Sequence, residues 1–151
     1  MSEITPPKTY SEWVEIFDIL KSRSNDEIIL NAMQEGSIRW QSGVAQRFAK
    51  RLTDVINYRM NSASDRFQKG IMRANGQERV IIQNILELRR EMKFLVKVAG
   101  IPAIPEKDRE CYCRLVLDQA DIMQKSLEDS AKKDTSGRLA GIIRNNRVNA
   151  L

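Results

Sequence analysis

The feature that most constrains the fold is the stretch 38–99, in which apolar side chains recur every three or four positions. Its first part runs from Trp40 to Ala74, and this spacing is that of an amphipathic α-helix. Asn75-Gly76 interrupts the pattern, and both residues tolerate the positive φ of a tight turn. The stretch therefore predicts a long helical hairpin.

The two arms of this hairpin carry different apolar patterns. In the first arm the mean spacing slightly exceeds one helical turn, so the apolar stripe winds around the helix. The polar run NSASD at 61–65 predicts a kink, because Asn and Ser side chains compete for backbone hydrogen bonds. In the second arm, steps of four and three alternate and form a heptad-like seam that favours lengthwise packing. This seam consists of Ile81, Ile85, Leu88, Met92, Leu95 and Ala99.

Helix-capping signals precede the hairpin. Thr9-x-x-Glu12 and Ser24-x-x-Glu27 both have the spacing of a capping box, in which a hydroxyl and a glutamate satisfy two backbone amides at the start of a helix. They predict two short helices. Gly36 is expected to supply the left-handed residue that ends the second of them.

The segment 100–105, GIPAIP, ends the hairpin, because Pro102 and Pro105 lack amide donors and favour extended backbone before them. A third long helix follows it. The break at Gly137 then separates that helix from a short C-terminal segment.

These elements predict an all-α fold, an antiparallel helical bundle of about five to six helices with a long central helical hairpin. Helices of this length leave apolar surface that one small domain does not cover, so we expect self-association as a homodimer. We predict a single helical domain over 1–151, made of two short helices (10–35), the hairpin (38–99), the third long helix (105–133) and the C-terminal segment (138–151).

Positive charge is concentrated on the first arm of the hairpin, since residues 37–76 contain eight Lys or Arg and two Asp or Glu. Four arginines recur there every seven or eight positions, so they share one flank of the predicted helix, and two further cations lie beside them. This basic row, the candidate site for phosphate or an acidic partner, is Arg47, Arg51, Arg59, Arg66, Lys69 and Arg73.

Two interpretations of the basic row remain open. Its members could pair with acids of neighbouring helices, and the expected acids are Glu12, Glu15, Asp18, Glu106, Asp108 and Glu110. Alternatively, the row could bind the phosphates of a nucleic acid, because the guanidinium fork matches phosphate oxygens.

The C-terminal segment combines an apolar stripe with three arginines and is too short to be stable as an isolated helix. Docking on its own bundle and binding to a partner are both open to it. As a partner-binding tail it would use Arg138, Ile142, Ile143, Arg144 and Arg147.

A helix-turn-helix is a weaker alternative between residues 27 and 48. Ala32-x-x-x-Gly36 has the spacing of the small residue and turn glycine of that motif. Arg39 and Gln41 would then contact bases. Polar Asn31 falls where the motif normally buries an apolar side chain, which disfavours this interpretation.

The residue types argue against several chemistries. The chain has no histidine, which general acid–base catalysis uses most often. Cys111 and Cys113 lie two positions apart on a predicted helix, so they point in different directions and do not bond to each other. We expect both to be buried or half-buried thiols. The sequence therefore predicts no catalytic residues, no metal and no cofactor.

No apolar run approaches the roughly 20 residues that a membrane-spanning helix needs, and the N-terminus lacks the pattern of a signal peptide. We therefore predict a cytoplasmic protein without membrane or small-molecule partners. Its expected function is that of a non-enzymatic interaction or assembly module that binds a protein partner, itself, or both. The alternative is a nucleic-acid-binding accessory or regulatory protein that uses the basic helix face.

Overall fold

The computed structural model describes residues 4–22, 25–41 and 43–151. In this part of the chain all regular structure is helical, which confirms the predicted all-α bundle. Its helices are α1 (Tyr10–Lys21), α2 (Asp26–Gln34), α3 (Val44–Ala74), α4 (Glu78–Ala99), α5 (Glu106–Ala131) and α6 (Arg138–Asn145).

The helices form two compact units. Unit 1 consists of the described residues of Met1–Arg59 together with Lys97–Cys113, and unit 2 consists of Met60–Val96 and Arg114–Leu151. The division falls within α3, α4 and α5, so each of these helices contributes residues to both units. That the whole chain acts as one domain stays a prediction.

The capping box at the start of α1 is confirmed. The Thr9 hydroxyl accepts a hydrogen bond from the Glu12 amide at 3.2 Å, and the Glu12 carboxylate accepts one from the Thr9 amide at 3.1 Å. The second predicted capping box includes Ser24, which lies outside the described residues. α2 begins at Asp26, directly after Asn25, whose φ is 59°.

Gly36 does not end α2 in the predicted way. The cap of α2 is Glu35, in right-handed helical conformation with φ −93°, and Gly36 is not among the glycines with positive φ. Gly36 instead allows a close approach, because a Cβ atom there would lie 2.7 Å from Trp13 Cζ2 and 2.9 Å from Pro7 Cγ. Trp13 in turn donates from Nε1 to the Ser37 carbonyl oxygen at 2.8 Å.

Aromatic side chains form the centre of unit 1. The rings of Trp13, Phe17 and Phe48 are all buried, and Phe48 lies edge-on to the other two at centroid distances of 5.3 and 5.2 Å. Trp40 packs edge-on against Phe48 as well, at 5.1 Å, but it remains 39% exposed. It lies before the first residue of α3, Val44, so the predicted start of the hairpin at residue 38 is six residues too early.

α3 passes through the polar run 61–65 without a break in the helix. The kink at this run stays a prediction. Ala63, at the middle of this run, is buried and belongs to the core of unit 2. Tertiary packing of this kind outweighs local competition from Asn and Ser side chains, since helices in proteins are held mainly by their packed face.

The turn between α3 and α4 is the predicted one, with φ values of 52° at Asn75 and 79° at Gly76. The heptad-like seam of α4 is also confirmed, because every one of its six side chains is buried. In unit 2 the seam packs against buried residues of α3, of the end of α5 and of α6. The buried core of the unit is Ala63, Ala74, Ile81, Ile85, Leu88, Ala131, Ile142, Ile143 and Val148.

α3 and α4 approach closely at Gly70. The side-chain amide of Asn84 occupies the space that a Cβ atom at Gly70 would need, and the same amide donates to the Val80 carbonyl oxygen at 2.8 Å. Asn84 is therefore held in place on its own helix. Any larger residue at position 70 has to displace it.

We expect Gly70→Ala to lower the free energy of unfolding by about 1–3 kcal/mol, because the added methyl overpacks this contact. Gly141→Ala is the matched control, since Gly141 is also helical and a Cβ there meets nothing within 4 Å. That substitution should raise stability by about 0.5–1 kcal/mol through helix propensity. Urea unfolding of both variants measures the difference, and equal effects would contradict the close contact.

Candidate interaction surfaces

Arg59, a member of the basic row, is buried in unit 1 with 1% of its surface exposed. Its guanidinium group donates to both carboxylate oxygens of Asp26, at 2.9 and 2.8 Å, and to the Leu20 carbonyl oxygen at 3.0 Å. A buried charge requires such partners, because removal from water is costly. Arg59 therefore joins α3 to α1 and α2, and it is not displayed on an open surface.

Arg66, in unit 2, also meets a carboxylate. Its Nη2 atom donates to Glu91 Oε2 at 3.1 Å, and the Glu91 side chain is buried on α4. The acids that pair with Arg59 and Arg66 are thus Asp26 and Glu91, and the prediction of partners on α1 or α5 is wrong for these two arginines. The lengthwise packing of α3 and α4 brings Glu91 next to Arg66. The two residues are 25 positions apart, so local sequence patterns do not predict this pair.

The other four members of the basic row are exposed: Arg47, Arg51, Lys69 and Arg73. Arg47 lies over the Tyr10 ring, 5.2 Å from its centroid, and its Nε atom donates to the Gly43 carbonyl oxygen at 3.3 Å. The row is therefore divided among a buried ion pair, a half-buried one and scattered exposed cations. It does not form one continuous exposed stripe.

The apolar face of the C-terminal segment is docked within unit 2. Ile142 and Ile143 are both buried in the core of that unit. Arg138 binds Glu78 through an ion pair of 2.9 Å. Arg144 is exposed. Of the two alternatives for this segment, its apolar side therefore agrees with docking on its own bundle.

The chain end beyond α6 is held by polar contacts. The carbonyl oxygen of Arg147 accepts from Arg89 Nε at 2.7 Å, and the Arg147 guanidinium lies 3.6 Å from Glu128. The buried Gln124 accepts from the Val148 amide at 2.9 Å. These bonds fix the polypeptide after α6, so the proposed tail has little freedom to fold on a partner.

The cysteines and acidic clusters offer little chemistry. Cys113 is half-buried as expected, but Cys111 is exposed, so burial of Cys111 was wrongly predicted. Burial raises the pKa of the Cys113 thiol, and the nearby Arg109 charge opposes this rise. Across residues 4–22, 25–41 and 43–151, no group of three or more Cys, Asp or Glu side chains is placed to hold a metal ion.

The helix-turn-helix interpretation is wrong. α2 ends at Gln34 and α3 begins at Val44, whereas that motif joins its helices by a turn of about three to four residues. Arg39 and Gln41 therefore do not lie at the start of a recognition helix.

The outward face of α4 in unit 2 was not singled out by the sequence patterns. A shallow cavity of about 500 Å³, wide open to solvent, lies against it and is lined by Glu78, Arg79, Ile82, Gln83 and Leu86. Leu86 is 37% exposed. The Glu78 carboxylate at the edge of this cavity forms an ion pair with Arg138. The charge of Glu78 is therefore compensated by Arg138, and Arg79 gives the cavity a positive charge.

Exposed cations continue this face beyond the cavity. Arg90 and Lys93 are exposed and follow Leu86 at steps of four and three along α4. Positions separated by such steps share one side of a helix. We call this side the outward α4 face, defined by Arg79, Ile82, Gln83, Leu86, Arg90 and Lys93. Except for Ile82, these residues lie two positions before the residues of the buried seam and have the same spacing of four and three. This spacing is the signal in the sequence that could have predicted the face.

The net charge is divided unequally between the units. Unit 1 contains 11 Lys or Arg and 11 Asp or Glu, whereas unit 2 contains 14 and 9. Unit 2 therefore carries the whole net charge of +5. The cations of the first hairpin arm in unit 1 are offset by acids from the other segments of that unit.

Comparison with protein-family models, with curated proteins and with solved structures gave no match. Among the described residues, no helix is both long enough and apolar enough to cross a membrane. The candidate surfaces therefore rest on the geometry of this chain alone.

We expect Asp26→Asn to lower the free energy of unfolding by about 2–4 kcal/mol, because it removes the carboxylate charge that accepts two hydrogen bonds from the buried Arg59 guanidinium. Asp129→Asn provides the control, since Asp129 pairs at 3.4 Å with Lys132 at an exposed position. Its expected cost is below about 0.5 kcal/mol. Chemical denaturation measures the free energy of unfolding of both variants. If Asp26→Asn lowers it as little as Asp129→Asn does, the Arg59–Asp26 pair does not stabilise unit 1.

Proposed function

We propose that the chain is a non-enzymatic helical interaction module, and that the outward α4 face binds an acidic amphipathic helix of a protein partner. The observation that carries this proposal is the cavity beside Ile82 and Leu86, on a helix face whose exposed charged members are Arg79, Arg90 and Lys93. Apolar anchors surrounded by charge are the usual composition of a helix-binding groove.

The spacing of the face supports a helical partner. Arg79, Gln83, Leu86, Arg90 and Lys93 follow steps of four, three, four and three. A second helix that lies lengthwise on such a seam meets one side chain about once per turn, as in helical bundles. An apolar side chain of the partner would enter the cavity next to Leu86, and partner carboxylates would reach the cations on either side.

The charge of the unit supports an acidic partner. Unit 2 has an excess of five positive charges, and the one acid that lines the cavity is already bound to Arg138. Such a field accelerates association with an acidic segment and repels a basic one. A second copy of the same face would bring cations against cations, so a homodimer requires a different surface. The homodimer and the cytoplasmic location stay predictions.

The nucleic-acid alternative loses part of its basis. Arg59 is buried against Asp26, and Arg66 pairs with Glu91. Phosphate binding by the complete basic row would require both ion pairs to break. We therefore place the protein-binding role of the outward α4 face ahead of it.

We expect a fluorescein-labelled helical peptide, with Leu on one side and Glu on the others, to bind the protein with a dissociation constant in about the micromolar range. Leu86→Glu should weaken binding about tenfold or more, because it removes the apolar anchor and introduces repulsion. Arg90→Glu should weaken it and reduce its salt dependence. Fluorescence anisotropy measures all three.

Ile122→Glu is the matched control, because Ile122 is 61% exposed on α5 and lies outside the outward α4 face. It should leave peptide affinity unchanged. A peptide of scrambled order tests whether the helix pattern is read. Equal binding of both peptides, or equal loss in Leu86→Glu and Ile122→Glu, would contradict the proposed face. Light scattering of the same proteins tests the homodimer separately.

A further inference from the structure

Unit 1 contains a second cavity, also of about 500 Å³, between the start of α1 and the approach to α3. Cavities of this size accommodate small organic ligands. Among the described residues that line it, none is acidic. The lining residues are Lys8, Thr9, Tyr10, Ser37, Ile38, Arg39, Gln41 and Val44.

The walls of this cavity are held by specific contacts. The Ser37 amide donates to the Pro7 carbonyl oxygen at 2.9 Å, and the Ser37 carbonyl oxygen accepts from Trp13 Nε1 at 2.8 Å. The close approach of Gly36 to Trp13 brings the two segments together. The cavity is therefore a consequence of the core packing of unit 1.

The cavity is electropositive, although unit 1 as a whole is neutral. Lys8 and Arg39 line it, and the Arg47 guanidinium lies over the ring of Tyr10, which lines it too. Two acids, Glu12 and Glu35, each lie two positions along the sequence from a lining residue, and neither is among the residues that line the cavity. The Glu12 carboxylate accepts hydrogen bonds from the Lys8 and Thr9 amides, at 3.0 and 3.1 Å, and these bonds hold the pKa of Glu12 below its usual value.

The lining also separates polar from apolar chemistry. Lys8 and Arg39 offer charged donors that suit phosphate oxygens. Tyr10, Ile38 and Val44 offer aromatic and aliphatic surface of the kind on which a base or sugar packs. A ligand that matches both parts carries a phosphate group and a planar or apolar body.

We infer that this cavity binds a phosphorylated ligand of about mononucleotide size, either a free nucleotide or one nucleotide of a single strand. This site is independent of the outward α4 face, which belongs to unit 2. It also differs from the predicted basic row, of which only Arg47 lies beside a lining residue.

The test is calorimetric titration of the full chain with each of the four ribonucleoside 5′-monophosphates. At least one should bind saturably with a dissociation constant of about 1 mM or tighter. The corresponding nucleoside, which lacks the phosphate, should bind about tenfold more weakly. Trp40, exposed and located between the lining residues Arg39 and Gln41, gives a second readout through its fluorescence.

The variant Lys8→Gln/Arg39→Gln should weaken binding about tenfold or more, because both substitutions remove phosphate donors. Both residues are exposed, so the core is left intact. The variant Lys50→Gln/Arg51→Gln removes the same charge from exposed positions of α3 that do not line the cavity, and it should change affinity less than about twofold.

The inference is overturned if none of the four nucleotides binds saturably below about 10 mM, or if the two double variants bind equally well. Given binding, a single strand of about ten nucleotides identifies the source of the ligand. Tighter binding of the strand, lost in Lys8→Gln/Arg39→Gln, assigns the cavity to nucleic acid. Equal or weaker binding of the strand assigns it to free nucleotides.

Discussion

The burial of one face of α4 is the constraint on which both units depend. Ile81 and Ile85 lie in the core of unit 2, and Val98, further along the same helix, is buried in unit 1. Each such side chain contributes roughly 1.5–3 kcal/mol when it leaves water, so the rotation of α4 about its own axis is strongly determined. Positions two residues earlier point to the opposite side of a helix. The same burial that stabilises the fold therefore exposes Leu86 and the cations beside it.

Charged side chains are part of the interior as well as of the surface. On α3 the apolar stripe winds, so a flank position at one end of the helix becomes an inward position further along, and Arg59 lies between the buried Ile56 and Met60. The Asp26 carboxylate accepts two hydrogen bonds from the Arg59 guanidinium and so compensates the cost of burying that charge. Arg59, which the sequence assigns to a ligand-binding row, is therefore part of the packed interior. An exposed arginine and a buried one can have the same spacing in the sequence, so spacing does not distinguish them.

Features of the fold that depend on nearby residues could be predicted from the sequence. The capping box of Thr9, the turn at Asn75-Gly76 and the heptad-like seam of α4 are determined within one or two helical turns. Features that depend on distant residues could not. Gly36 is explained by the indole of Trp13 on another helix, and the pairing of Arg59 with Asp26 requires α2 to be already in place. The cavity of unit 1, which joins residues 8–10 to residues 37–44, is of this second kind, whereas the lining of the α4 cavity comes from a single helix.

The two candidate sites obtain their attraction for anions in different ways. Unit 2 has a net excess of positive charge, so its field acts over distance and is reduced as salt shortens the screening length to about 8 Å at physiological ionic strength. Unit 1 is neutral overall, and the attraction of its cavity comes from Lys8 and Arg39 at contact distance. The association rate of an acidic partner with unit 2 should therefore depend more strongly on salt than that of a small ligand with unit 1. In the proposed roles, the division of charge between the units would separate long-range capture of an acidic partner by unit 2 from short-range recognition of a phosphate group by unit 1.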